Sequence, residues 1–278
     1  MSTMVSASGT MPEPPRARGE PAVFLKWFLP LALFATILAA WEYSVRLALT
    51  PPKIVPAPSE IAIAFVTDWD KLEPAWLYTI TVTAEGFVLA VSGGVALAVL
   101  FSQSRLVEYT LYPYAIILQV TPVLAIAPLL MVFLSQGTVL LTCVWLVAFF
   151  PVLANTLIGL RSTDHNLLNL FELYRASHWQ KLWLLRIRGA MPYFLGGVRI
   201  AGGLSLIGAV VAELAAGGGA KSGLGFIIYL APRNYGFARA YAALVLLCVT
   251  GIVIFLLLSF VSHLMLHKWH ESALKREN

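Results

Sequence analysis

Fifty consecutive residues, from 111 to 160, contain no Asp, Glu, Lys, Arg or His. Soluble proteins carry charges on about 25% of their residues, whereas this chain carries them on 12% and is 59% hydrophobic. A soluble domain of this length could not cover its surface with so few charges. The composition excludes a secreted disulfide scaffold, a disordered chain, a nucleic-acid-binding domain and an ordinary cytosolic enzyme. It predicts an all-α fold, a polytopic bundle of transmembrane helices.

Six apolar runs are long enough to cross a bilayer, whose hydrocarbon core requires about 20 helical residues. They lie at 27–47, 78–101, 111–134, 139–160, 192–212 and 238–266. The third run contains Pro113, Pro122 and Pro128, and proline within a spanning helix is tolerated where neighbours or water satisfy the freed carbonyls. We therefore expect the third helix to be kinked and packed inside the bundle, with little of it facing lipid.

The sequence between and around the runs divides the chain into four parts. Residues 1–21, rich in Pro, Gly, Ser and Arg, are expected to form a disordered cytoplasmic tail. Residues 22–77 hold the first span, predicted to be an uncleaved signal anchor, and an outer segment with a short helix that has Ser59 or Pro58 near its start. Residues 78–267 form the core with a cytoplasmic loop at 161–191. A short cytoplasmic tail, 268–278, ends the chain.

Lysine and arginine lie mostly on one side of these spans. With the N-terminus inside, twelve fall in cytoplasmic segments and six in outer segments. The cytoplasmic set is Arg16, Arg18, Lys26, Arg105, Arg161, Arg175, Lys181, Arg186, Arg188, Lys268, Lys275 and Arg276. The outer set is Arg46, Lys53, Lys71, Lys221, Arg233 and Arg239. The positive-inside rule then places both termini in the cytoplasm.

Polar side chains within the spans are the candidates for a solute path. A charge in a span costs about 2.5–3.5 kcal/mol to insert, so Glu85 and Glu213 are expected to face the bundle interior or water. Glu213 lies near the outer end of its span, where an interfacial position is an equally good interpretation. The uncharged candidates are Gln119, Thr121 and Asn155, for which hydrogen bonds between helices are the alternative.

Three other patterns do not support a cofactor, metal or redox site. Cys143 and Cys248 lie in apolar runs and are expected to be buried free thiols. His263, His267 and His270 share one helical face near the inner interface, where histidines more often anchor a helix than bind metal. The segment 215–222 lacks both glycines that a phosphate-binding loop requires.

The loop at 161–191 is long for a connection between spans and carries most of the cytoplasmic charge. Leu167, Leu168, Phe171 and Tyr174 recur at spacings of three and four, which predicts an amphipathic helix. A turn and a second, basic helix follow. We expect the first helix to lie across the cytoplasmic end of the bundle and to contact a partner protein.

Four stretches of sequence carry a resemblance to a known family. They are FFPVLANTLIGLR at 149–161, ASHWQ at 176–180 leading into AMPYFLGGVRIA at 190–201, GFVLA at 86–90, and Ser104-Arg105. In combination they resemble the permease subunits of binding-protein-dependent ATP-binding cassette (ABC) importers. The similar branch is the nitrate/sulfonate/taurine type, which also includes permeases for thiamine and riboflavin precursors. The resemblance covers about residues 79–270.

The resemblance implies a type I ABC importer permease in the cell inner membrane, a transporter subunit and not an enzyme. It implies a homodimer, two cytoplasmic ATPase subunits that bind ATP and Mg²⁺ in place of this chain, and an outer solute-binding protein. It further implies that residues 164–180 form the docking helix and turn for the ATPase. The candidate coupling residues are Asp164, Leu168, Glu172, Leu173, Tyr174, Arg175, Ala176 and Ser177.

The docking segment departs from the family pattern, which has Glu-Ala-Ala six residues ahead of a glycine. Here Asn169-Leu170-Phe171 stand at the first positions and Arg175 stands at the glycine. Ile187-Arg188 replace a Leu-Pro further on, and Glu172 is off register by three. Because a side chain disfavours the left-handed backbone that glycine adopts freely, Arg175 argues against the family's tight turn at this point.

Two other classes of function remain open at this stage. A stand-alone proton-coupled carrier would use Glu85 as its protonated group, and internal repeats, which would favour such a carrier, are absent from the two halves. An intramembrane enzyme requires catalytic groups that converge at one depth. The spans contain no HExxH, no Gly-x-Ser-x-Gly and no paired carboxylates.

Overall fold

The computed structural model describes residues 23–47, 54–216, 222–234 and 236–266, and within them every regular element is helical. The helices in chain order are α1 (Val23–Arg46), α2 (Pro58–Thr67), α3 (Trp69–Gln103), α4 (Arg105–Val120), α5 (Val123–Leu130), α6 (Gln136–Arg161), α7 (His165–Leu173), α8 (His178–Gln180), α9 (Ile187–Ala216), α10 (Leu224–Leu230) and α11 (Phe237–Leu266). A π-helical turn, Lys181–Arg186, joins α8 to α9, and a 3₁₀ turn, Ala231–Asn234, follows α10.

Five helices of the described chain are long and apolar enough to cross a membrane. They are Phe28–Arg46, Trp69–Gln103, Gln136–Arg161, His178–Ala216 and Phe237–Leu266. These five match the predicted runs other than 111–134. The second and fourth of them extend well beyond the apolar runs that predicted them, because polar turns continue the same helix outside the hydrocarbon layer.

The predicted third span differs from a single kinked helix. Its residues form α4 and α5, which meet at an angle of 94° and make either one broken span or a re-entrant pair. The break follows from Pro122, which has no N–H to donate and holds the preceding residue in extended backbone. Thr121 accordingly has φ −64° and ψ 125°.

The expectation that this region packs inside the bundle is wrong for the single chain. Ala115 of α4 and Ala127 of α5 are the buried residues of the pair, and the other side chains are partly or fully exposed. The reason is that, among the described residues, α4 packs closely against α3 and α6 alone. Cys248 on α11 is likewise exposed, contrary to expectation, whereas Cys143 on α6 is buried as predicted.

The centre of the bundle is α6, packed between α3 and α9. Phe149 and Val152 of α6 are fully buried among alanines of all three helices. Small residues bring the backbones close, which is how membrane helices gain contact in a solvent as apolar as their side chains. A Cβ at Gly94 would lie 2.8 Å from the Phe149 carbonyl oxygen, and one at Gly197 would lie 2.7 Å from that of Pro151.

The short helix predicted with Ser59 or Pro58 near its start is α2, which begins at Pro58. Glu42 of α1 accepts hydrogen bonds from the Ser59 N–H at 3.1 Å and the Ser59 hydroxyl at 2.8 Å. Ile61 and Ala64 are buried against the cluster formed by α3, α10 and α11. The two tails, His267 and His270 lie outside the described residues.

Gly197 and its neighbour Gly196 give a matched test of the central packing. No atom of the described chain lies within 4 Å of a Cβ built at Gly196, so Gly196→Ala should be neutral or stabilising by up to about 1 kcal/mol. Gly197→Ala should destabilise the protein by about 1–3 kcal/mol, because its methyl group meets backbone that cannot move aside. Thermal unfolding of the purified proteins in detergent measures both effects. Equal melting temperatures for the two variants would contradict the packing described here.

Candidate functional site

The larger candidate site is a cavity of about 880 Å³ beside α3, α6, α10 and the start of α11, at the end that the charge bias assigns to the outer face. Most of its wall is apolar. Its polar and charged lining consists of Lys71, Tyr78, Thr81, Glu85, Ser222, Asn234 and Arg239. An apolar cavity with a few convergent polar groups is the usual form of a small-molecule site.

Glu85 is exposed on α3 and forms part of the cavity wall. Thr81 lies one turn before it and Tyr78 two turns before it, on the same helical face. No carboxylate–cation pair involves Glu85 among the described residues. The cavity therefore has one carboxylate that no cation of the described chain neutralises.

The two cations of the cavity wall are held by Asp68, in the link between α2 and α3. Arg239 donates to the Asp68 carboxylate at 2.6 Å, and Lys71 donates to the same oxygen at 3.2 Å. The hydrogen bond from Arg239 lowers the pKa of Asp68 below its usual value, with Lys71 adding to the effect against the opposing influence of burial. This ion-pair group ties the start of α11 to the start of α3.

Glu213 is buried and does not line the cavity. Its carboxylate accepts a hydrogen bond from the Thr79 hydroxyl at 2.8 Å and another from the Gly225 N–H at 2.8 Å. The Leu224 N–H donates to the Thr79 hydroxyl at 2.9 Å. Gly223 lies so close that a Cβ there would overlap the carboxylate. This cluster, the Glu213 knot, joins α9 to α3 and α10.

Sequence reasoning predicted Glu213 in a solute path and missed its partners. In the structure Glu213 holds helices together. The sequence feature that could have indicated its partners is the Gly223-Leu224-Gly225 stretch. Glycines on both sides of a leucine, opposite a buried acid, permit the close backbone approach that the knot requires.

The three uncharged candidates do not gather around the cavity. Asn155 is half-buried on α6 and donates to the Pro151 carbonyl oxygen at 2.8 Å. Thr121 lies at the break between α4 and α5 and donates to the Ile117 carbonyl oxygen at 2.8 Å. Gln119 is exposed on α4. Of the five predicted path residues, the described cavity contains Glu85 alone.

At the opposite end of the bundle, α7 forms the amphipathic helix predicted in the 161–191 loop. Asp164 caps it, accepting a hydrogen bond from the Asn166 N–H at 2.8 Å. No residue of α7 is buried. Leu173 is 82% exposed and Tyr174, which follows it, is 81% exposed. The helix thus presents apolar side chains to its surroundings.

The turn after α7 is left-handed despite the absence of glycine, which corrects the expectation drawn from Arg175. Arg175 has φ 52°. Its N–H donates to the Glu172 carbonyl oxygen and the Ala176 N–H to that of Phe171, both at 2.9 Å. This pair of bonds is the Schellman ending of a helix. Its two hydrogen bonds offset the roughly 1–2 kcal/mol that a non-glycine residue loses in this backbone region.

Two further predicted coupling residues, Glu172 and Ser177, lie where α7 meets the helix that follows it. Lys181 donates to the Glu172 carboxylate at 3.0 Å. Ser177 caps α8, since its hydroxyl accepts from the Gln180 N–H at 3.3 Å and its own N–H donates to the Gln180 side chain at 2.7 Å. His178 is hydrogen-bonded to Gln103 at the end of α3. The exposed helix is therefore fastened at its C-terminal end.

No group of three His, Cys, Asp or Glu that could hold a metal ion occurs among the described residues. Within the predicted histidine set, only His263 falls in that part of the chain.

Comparison with known proteins gives one family and several relatives. Residues 90–274, 185 of the 278, match the model of a family described as the inner membrane component of binding-protein-dependent transport systems. The riboflavin transport system permease protein of Chloroflexus aurantiacus is 30% identical over 250 residues, which cover 88% of this chain and 90% of the relative.

Two further relatives align over similar lengths. The formylaminopyrimidine transport permease protein of Halalkalibacterium halodurans is 29% identical over 85% of this chain and 94% of its own length. The taurine transport system permease protein of Escherichia coli (strain K12) is 27% identical over 84% of this chain and 88% of its own length.

The two acids within apolar helices should respond differently to truncation. Glu213→Ala removes the acceptor of the Thr79 hydroxyl and the Gly225 N–H, and each buried donor left unpaired costs about 1–3 kcal/mol. Its melting temperature should fall clearly below that of the unmodified protein. Glu85→Ala should change stability by less than about 0.5 kcal/mol. Thermal unfolding in detergent compares them, and an equal loss in both variants would show that the knot does not stabilise the fold.

Proposed function

Because this chain belongs to the family of inner membrane components of binding-protein-dependent transport systems, and is thus the permease subunit of an ABC importer for a small solute, we propose that two copies of it form the path. The family works with an ATPase and a solute-binding protein. In this structure the observation that supports work with a separate ATPase is α7, an exposed helix with apolar side chains at the end opposite the cavity. The sequence contains no recognisable phosphate-binding loop, so the chain needs a surface on which a separate ATPase can dock and transmit its motion.

We propose α7 as the docking helix of that ATPase subunit, which binds ATP and Mg²⁺ in place of this chain. Leu173 and Tyr174 supply the exposed apolar contact. Leu170 lies one turn before Leu173 and is 45% exposed, and Leu167 lies two turns before it and is 44% exposed. A short helix with apolar anchors at such spacing fits a groove on a partner protein. Arg175 and Asp164 add one charge of each sign at the two ends of the helix.

The attachments of α7 support a role in transmitting motion. Lys181 and Ser177 connect it to the long helix His178–Ala216, which at 1.5 Å per residue is on the order of 60 Å long. That helix packs along α6 and ends in the Glu213 knot beside the outer cavity. In the proposed cycle, ATP binding closes the two ATPases, moves the two docking helices and turns the path from inward-open to outward-open.

The number of spans supports a homodimer. At most six helical segments of the described chain are long and apolar enough to cross a membrane, which is enough for one wall of a path and too few to enclose one. The face of α4 and α5 remains uncovered in the single chain, and it includes Gln119 and the partly exposed Thr121 beside the break. We propose that these two residues face the path in the dimer, together with Glu85.

The orientation is also a proposal, with both termini in the cytoplasm. It rests on the twelve-to-six bias in lysine and arginine. The structure groups α7 and the arginines at the ends of α6 and of the π-helical turn at one end of the bundle, and α2 and Asp68 at the other.

The solute class is a small polar molecule, since the named relatives transport riboflavin, formylaminopyrimidine and taurine.

Replacement of the exposed apolar pair on α7 tests the docking proposal. Leu173→Ser with Tyr174→Ser should leave folding intact, because neither side chain is buried in this chain. Burial of a leucine-sized side chain is worth about 1.5–3 kcal/mol, so affinity for the ATPase should fall at least tenfold. Titration of the co-expressed ATPase onto the purified permease measures it.

Val66→Ser is the matched control, since Val66 is 81% exposed on α2 at the opposite end. It should bind the ATPase as tightly as the unmodified chain. Full ATPase binding by the double variant would contradict the assignment of α7.

The role of Glu85 in the path is tested by Glu85→Gln, which keeps size and removes charge. Uptake of the solute found on the accompanying binding protein should fall several-fold in membrane vesicles, with unchanged amounts of protein. Glu73→Gln, on an exposed position of the same helix outside the cavity wall, is the control and should not change uptake. Equal uptake by both variants would remove Glu85 from the path.

A further inference from the structure

A second cavity, of about 590 Å³, lies at the end of the bundle that carries α7. Three arginines line it from three separate elements: Arg105 at the start of α4, Arg161 at the end of α6, and Arg186 at the end of the π-helical turn. We call it the arginine cavity. Positive residues at the inner ends of spans are common, but these three converge on one concave site.

The charges of the arginine cavity do not cancel within the described chain. Arg161 pairs with Glu108, which also lines the cavity. Arg105 and Arg186 have no carboxylate partner among the described residues. Three cations and one anion leave a surplus of two positive charges. Guanidinium groups gathered around one cavity repel each other unless an anion lies between them.

Uncharged donors in the same wall point to the same chemistry. The Thr163 hydroxyl oxygen is buried, lines the cavity and has no hydrogen-bond partner in the described chain. The N-terminus of α4, a helix of 16 residues that starts at Arg105, adds the positive end of its dipole. Tyr109, one turn further on, contributes a phenol to the wall.

We propose that the arginine cavity binds a phosphate group, from the headgroup of an anionic lipid or from a free phosphate. The planar guanidinium fork matches the oxygens of phosphate, often through two parallel hydrogen bonds. Arg105, Arg186 and the Thr163 hydroxyl are the donors that lack partners and would contact the phosphate. The position at the inner ends of three spans is where lipid headgroups lie.

A ligand bound in the arginine cavity would lie next to α7. Leu168 of α7 forms part of the wall, and Thr163 lies in the short link between α6 and α7. A bound phosphate would therefore connect the ends of α6 and α9 to the base of the exposed helix. The binding site itself does not depend on the function proposed for α7.

The test uses the full chain, purified in detergent, with Arg186→Gln and the matched control Arg188→Gln. Each variant loses one positive charge. The two positions are two residues apart, and Arg188 is outside the cavity wall. Phosphatidylglycerol, neutral diacylglycerol and inorganic phosphate are the probes, with bound molecules counted by native mass spectrometry and affinities measured by titration. Arg186→Gln should weaken binding about tenfold or more, the loss of a hydrogen bond to a charged group. Arg188→Gln should bind as the unmodified chain does.

The probes separate the two sources of the phosphate. If phosphatidylglycerol binds and inorganic phosphate does not, the cavity is assigned to a lipid headgroup. If inorganic phosphate binds, the cavity is assigned to a free anion. Arg186→Lys, which keeps the charge, should restore part of the affinity and shows that the effect is not one of misfolding. The proposal is overturned if neither probe binds, if diacylglycerol binds as well as phosphatidylglycerol, or if both glutamine variants weaken binding equally.

Discussion

The close contact of α6 with α3 and α9 is the constraint on which the other features depend. In a membrane, lipid is as apolar as the helices, so contact at short range and satisfied polar groups must hold helices together. Gly94 and Gly197 allow this short distance between helices, because the backbone carbonyls of α6 lie where a side chain at either position would collide with them. The helix α7 connects α6 to the long helix His178–Ala216, which includes α9. The position of α7 therefore follows from this packing.

The two ends of the bundle differ in how they are held. At the end that holds the cavity of about 880 Å³, the Glu213 knot and the Asp68 ion pairs fasten α9, α10 and α11 to α3. At the opposite end, α7 protrudes and is fastened at its C-terminal side by Lys181 and by the cap at Ser177. A force applied to α7 therefore acts on a helix whose far end is anchored beside that cavity. This arrangement suits a protein that transmits motion across the membrane.

Hydropathy predicted most of the fold, because five spans are continuous runs whose apolar character is visible in one dimension. It did not predict the 94° bend between α4 and α5, since three prolines in one run do not reveal which of them breaks the helix. Glu85 and Glu213 look alike in sequence, as single acids in apolar spans. Their difference depends on Thr79 and Gly225, which come from other elements and meet Glu213 only in three dimensions. The helix α7 was predicted from its spacing, whereas the left-handed Arg175 was not, because two local hydrogen bonds overcome a preference that sequence patterns assign to glycine.

The central claim is that this chain moves its solute only with an ATPase and ATP, and proteoliposomes test it directly. The permease is reconstituted alone and with the ATPase and binding protein that accompany it, and uptake of the solute that this binding protein carries is measured with ATP or with a proton gradient. The account predicts uptake of that solute in the complete system with ATP, and none by the permease alone under either condition. Uptake by the permease alone, driven by the proton gradient, would contradict it and identify a stand-alone carrier.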